Sequence, residues 1–84
     1  MNTNSTRFKI SFENADAFNC WIDHTQYELG LEIGNGFEMK QLDKVIEKAK
    51  EVAQYYNDKI IVKIFNTDID GDIDLDDLVE QYTI

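Results

Sequence analysis

Leu42, Val45, Ile46, Ala49, Val52, Ala53 and Tyr56 recur at spacings of three and four residues. That spacing puts all seven on one side of an α-helix. Glu47 lies three residues after Lys44 and three before Lys50 on the opposite flank, within side-chain reach of both. Asn57-Asp58 suits the stop, because asparagine tolerates the left-handed conformation that ends many helices. The stripe has to be buried against something, and the next segment supplies it. Lys59 to Phe65 reads as a strand whose Ile60-Ile61-Val62 run is β-branched on both faces, as suits a central strand or one covered by the helix.

Other strands are legible by alternation. From Arg7 to Glu13, Phe8, Ile10 and Phe12 point one way while Lys9, Ser11 and Glu13 point the other, the pattern of a half-buried strand. Asn14 to Asp16 suits a turn. Ala17 to Ile22 is apolar and fits either a short strand or a helical turn, with Asp23-His24 as a break. Gln26 to Ile33 alternates again, with Tyr27, Leu29, Leu31 and Ile33 on one face, and predicts a further strand. Gly34-Asn35-Gly36 is the strongest turn signal, so a hairpin returning through Phe37 and Met39 is expected. After residue 74, Leu75, Leu78, Val79 and Tyr82 keep helical spacing. Asp74 would be the N-cap and Asp77 would lie near the positive end of the helix dipole. The expected fold is α+β: a small antiparallel or mixed sheet packed on one amphipathic helix, with a short C-terminal helix after an acidic loop.

With 84 residues the chain makes one thin domain, since a chain this short buries only about 60% of the surface exposed when unfolded. Residues 7–84 are read as that domain and the polar residues 1–6 as a frayed, disordered start. No run near 20 apolar residues and no basic start leading into an apolar segment is visible, so neither a membrane span nor a secretory signal is expected. Cys20 is the only cysteine, which excludes an internal disulfide and leans towards a reducing, cytoplasmic setting.

Charge is the most uneven property. The net charge is −9, yet residues 1–65 carry 10 acids against 8 bases, while residues 66–84 carry 7 acids and no base. Direct nucleic-acid binding is disfavoured, because a phosphate-binding face needs clustered lysine and arginine.

The acidic segment has an internal pattern. From Asn66 to Asp77, oxygen-bearing side chains stand at relative positions 1, 3, 5, 9 and 12, with glycine at 6 and isoleucine at 8. Asn66, Asp68, Asp70, Gly71, Ile73, Asp74 and Asp77 resemble the calcium loop of the EF-hand family, and more closely its dockerin-type variant, which closes on aspartate and leads into a helix. The resemblance covers residues 66 to about 82. It implies that Asn66, Asp68 and Asp70 donate side-chain oxygens, Asp72 a backbone carbonyl, Asp74 a direct or water-mediated oxygen and Asp77 a carboxylate. The ion would be Ca2+, with Mg2+ as a competitor. The chain departs from the pattern in having a strand as the incoming element, asparagine at position one and no second loop. The plain alternative is a hairpin turning at Asp70-Gly71 in a type I′ turn. That register would set Ile69 opposite Asp72, Asn66 opposite Leu75 and Ile64 opposite Asp77, pairing apolar residues with acids. A third option is an acidic protein-binding face.

Elsewhere the sequence points away from catalysis. Cys20 and His24 give two strong ligands where a structural zinc wants four, and a half-buried cysteine beside a surface or locally bonded histidine is expected. No phosphate-cradling glycine loop, serine nucleophile elbow or metalloprotease histidine pair occurs. Tyr55 and Tyr56 cannot both point inward on one helix, so Tyr55 is the expected exposed member and, with Asp76 and Glu80, a candidate contact for a partner. Three functions follow. The first is a non-enzymatic binding or adaptor domain with a calcium-ordered C-terminal segment and a protein partner. The second is an acidic nucleic-acid mimic of the phage or mobile-element type, which would occupy the basic cleft of a nucleic-acid-handling protein. The third is an oligomerising module that pairs strand edges between copies, with monomer or homodimer left open.

Overall fold

The computed structural model describes residues 6–31 and 34–84. Strand β1 (Thr6–Phe12) leads into helix α1 (Ala15–Tyr27). The two-residue strand β2 (Phe37–Glu38) and one 3-10 turn (Met39–Gln41) follow, then helix α2 (Leu42–Tyr56), strand β3 (Ile60–Thr67) and strand β4 (Ile73–Thr83). The four strands form one antiparallel sheet in the order β2-β1-β3-β4. Both helices pack on one face of it. This is the small α+β domain that the periodicities predict. Of the segment read as frayed, residues 1–5 lie outside the described residues, while Thr6 already pairs with Asn66.

The alternating residues of β1 behave as their pattern demands. Phe8 and Ile10 are buried, as are Ile60, Val62 and Ile64 of β3. Val45, Ala49, Val52 and Ala53 of α2 close the core from above, so the predicted stripe faces the sheet. Asn57 caps α2 with φ 54°. Trp21, 1% exposed, sits with its ring edge-on to Phe12 and Phe37.

Three expectations need correcting. The segment 17–22, open between strand and helix, is the middle of α1, and Asp23-His24 does not break it. Asn14 caps this helix, its side chain accepting from the Asp16 amide at 2.8 Å, and the buried Thr25 hydroxyl donates to the Trp21 carbonyl at 2.7 Å. The strand expected over 26–33 is absent among its described residues: Gln26 and Tyr27 end α1, and residues 28–31 form a turn and coil. Residues 32 and 33 lie outside the described residues. Alternation there misleads because Tyr27 is 83% exposed and does not mark a buried face. Phe37 accordingly pairs with Phe8 of β1 rather than in a local hairpin.

The third correction concerns the C-terminal helix, which is strand β4 instead. Leu75, Leu78 and Val79, three of the four residues in its helical stripe, are 62%, 47% and 53% exposed in the strand, so their spacing does not record burial. β3 meanwhile has a second edge whose backbone groups need partners, and β4 satisfies them. Asp74 does accept a backbone amide two residues on, from Asp76 at 3.0 Å, as Asn14 does at the start of α1. The same local signal serves a helix cap in one place and a strand irregularity in the other.

Candidate functional site

The acidic segment forms the β3–β4 hairpin. Thr67 pairs with Ile73 and closes a loop of residues 68–72. Asp68 organises that loop. Its amide donates to the Asp72 carbonyl at 2.8 Å, and its own carbonyl accepts from Gly71 at 3.0 Å. Its side-chain Oδ1 accepts from the amides of Asp70 (2.9 Å) and Asp72 (3.0 Å). The carboxylate is thus bound into its own turn. Ile69 at the tip is fully exposed.

Below the tip the ladder slips twice, between Phe65 and Thr67 and between Ile64 and Phe65. The residues of β4 from Asp74 to Asp77 are an excess over the single Asn66 opposite, and Asn66 Nδ2 donates to Asp77 Oδ2 at 3.1 Å. These irregularities reduce the pairing problem of the type I′ register. They set Leu78 opposite Phe65 and Tyr82 opposite Val62, and Ile84 exchanges backbone hydrogen bonds with Ile60. Apolar residues then meet apolar residues at these positions, while Ile64 still stands opposite Glu80.

Asn35 holds the tip in place. Its Oδ1 accepts from the Ile73 amide at 2.7 Å, and its Nδ2 donates to Asp72 Oδ1 at 3.3 Å. Its carbonyl accepts from Arg7 Nε at 2.8 Å, and Arg7 also donates to the Gly36 carbonyl at 3.2 Å. Asn35 precedes β2 and Ile73 begins β4, strands at opposite edges of the sheet. The hairpin therefore arches across the face that the helices leave uncovered. Phe65 is 6% exposed although it lies outside the cluster beneath the helices; its register partners Arg7 and Leu78 share its face.

Among the described residues, the carboxylates on this arch have no ion-pair partner. Among the described residues, the lysine ion pairs are Lys40–Glu38, Lys48–Glu28, Lys48–Glu51 and Lys59–Glu13, all elsewhere. The six residues picked out as metal ligands, Asn66, Asp68, Asp70, Asp72, Asp74 and Asp77, are spread along the ribbon. Five of the side chains are turned to structural hydrogen bonds: Asn66 and Asp77 to each other, Asp68 to its loop, Asp72 to Asn35 and Asp74 to the Asp76 amide. Among the described residues no three His, Cys, Asp or Glu side chains converge so as to hold a metal ion. Ile73 is half-buried, and its Cδ1 lies beside Gly36. Asp76 and Glu80 are exposed on the same strand.

A second feature lies between the helices. Cys20, His24, Glu51, Val52, Tyr55 and Tyr56 line a surface groove of about 410 Å³. His24 bonds to Glu28 one turn on, and Glu28 bridges to Lys48 of α2 at 3.3 Å. The His24 hydrogen bond first, and the Lys48 contact second, hold the Glu28 carboxyl below its ordinary range. The same Glu28 contact raises Lys48. Desolvation, followed by its neighbour Cys20, raises the Tyr56 phenol. Cys20 is half-buried and His24 locally bonded. Tyr55 is 83% exposed, as its place beside Tyr56 predicts.

The chain matches no protein-family model, no curated protein and no solved structure. No helix among the described residues is long and apolar enough to cross a membrane. What the sequence did not disclose is Asn35: it reads there as a turn residue, and its role as tether depends on a contact across 38 positions.

Proposed function

We propose that this chain is a small non-enzymatic binding module that presents the β3–β4 hairpin to a basic protein partner. One observation carries this: residues 66–84 hold seven acids and no base, on an edge ribbon that also exposes Leu75, Leu78 and Val79. Uncompensated charge of one sign steers encounter with the opposite sign, and exposed apolar residues among the acids supply short-range contact area. A cleft shaped for nucleic acid is one such basic surface, so a nucleic-acid mimic is a special case of the same module. A reducing, cytoplasmic setting is part of the proposal, on the free thiol of Cys20.

Affinity capture with the immobilised chain tests it, run beside an Asp74→Asn/Asp76→Asn/Glu80→Gln variant at low and high salt. A partner of this site is retained by the native chain, released by salt and lost on the variant. Release of that partner by added DNA identifies a mimic. Equal retention of the same proteins by the variant removes the hairpin as the binding surface.

A further inference from the structure

We infer that the lower half of β4 is a receptor edge for an extended, lysine- or arginine-bearing segment, which adds to the sheet as a fifth strand beside Gln81 and Thr83. The inference deepens the proposed module and rests on it. Among the described residues β4 has one neighbour, β3, in the sheet order. Ile84 and Ile60 bond to each other through both backbone groups, which makes theirs a hydrogen-bonded pair. In an antiparallel ladder such pairs alternate. Tyr82 and Glu80 therefore turn their backbone groups to β3, while Gln81 and Thr83 turn theirs outward. A regular stretch, Glu80 to Ile84, opposite Ile64 to Ile60, offers these groups without a bulge.

Charge selects the occupant. A second copy paired in parallel would set one acidic ribbon against another, and an antiparallel copy would bring no cation to Asp76, Asp77 or Glu80, since residues 66–84 carry no base. Like charges facing one another across a strand pair are destabilising, and charged edges are a known guard against self-pairing. A basic strand meets the opposite condition. Its backbone would pair with Gln81 and Thr83, its cationic side chains would reach Glu80, Asp77 and Asp76, and Leu78 and Val79 would receive its apolar residues.

The test is a titration of the isotope-labelled full chain with a short capped peptide of alternating lysine and valine, followed by amide NMR and hydrogen exchange. Strand addition slows exchange at Gln81 and Thr83 by about tenfold or more at saturation. Gln81→Pro, a change tolerated where an edge N–H faces solvent, should weaken binding by about tenfold while preserving the native spectrum. An alternating glutamate–valine peptide should not bind. Salt-sensitive shifts confined to residues 68–77, with unchanged exchange at Gln81 and Thr83 and full binding by Gln81→Pro, overturn strand addition but leave the acidic module standing. Absence of any binding by the lysine peptide also overturns strand addition, and the capture experiment then decides the module separately.

Discussion

A single side chain, that of Asn35, links the beginnings of two strands at opposite edges of the sheet. Asn35→Ala leaves the Ile73 amide and the Asp72 carboxylate without these partners, and a lost hydrogen bond to a part-buried group costs about 1–2 kcal/mol. Urea unfolding should show that loss, and hydrogen exchange should show the Ile73 amide opening first. The neighbouring Gly36 is constrained more tightly. Its φ is +68°, and an added Cβ would lie 2.8 Å from the Phe8 carbonyl and 3.1 Å from Ile73 Cδ1. Gly30 shares the conformation, φ +67°, but would meet nothing within 4 Å. Alanine at both positions separates backbone strain from collision. The cost should be about 1 kcal/mol at Gly30 and about 3 kcal/mol at Gly36, read from denaturation midpoints. Equal costs would mean that Gly36 can move off the Phe8 carbonyl and Ile73.

At the scale of elements, the two helices are joined at their surface by Glu28 and Lys48. Glu28 has a lowered folded pKa, so its contribution is present above the unfolded value and disappears as pH falls through the folded one. Lys48 is raised, so its contribution is present below its unfolded value and disappears as pH climbs through the folded one. The stability advantage of the native chain over Glu28→Gln should therefore be flat around neutrality and shrink at both acid and alkaline extremes. Melting curves across pH measure it, and a difference independent of pH would show that the pair does not act. The elements themselves were unevenly legible from sequence. β1, α2 and β3 could be read because each buries one face, so its periodicity records its environment. α1 was half legible, since its apolar run is too short to fix a period and its end exposes Tyr27 to solvent. β4 has the spacing of a helix in the sequence, but that spacing is not a record of burial: its apolar residues are mostly exposed, and the strand completes the edge of β3. The acidic segment was recognisable as the distinctive surface, but which carboxylates cap, pair or stay free depends on bulges that no local pattern encodes.

For the molecule as a whole, the arch concentrates repulsion that its own hydrogen bonds must hold together, and this separates a structured hairpin from a calcium loop. In a calcium loop Asp68 and Asp70 are both ligands, and losing either matters only when the ion is present. In the hairpin their roles differ. Asp68 accepts two loop amides, so Asp68→Ala should destabilise the metal-free protein by about 1–2 kcal/mol, with Asp68→Asn recovering much of the loss because the amide oxygen still accepts. Asp70 is exposed, and Asp70→Ala removes one charge from a crowded ribbon, leaving the melting midpoint unchanged or slightly raised. Sodium chloride should raise the midpoint of the native chain by shortening the reach of these charges from roughly 30 Å at 0.01 M to about 3 Å at 1 M. Calcium at a concentration equal to its dissociation constant would add only about 0.4 kcal/mol, or ~3 °C in a domain this small. A calcium shift well beyond that at matched ionic strength, abolished by Asp70→Ala, would mean that the ribbon rearranges to gather its carboxylates around an ion. A response to calcium no larger than to sodium at the same ionic strength, together with the Asp68–Asp70 asymmetry in the absence of metal, would leave the carboxylates free for a cationic partner.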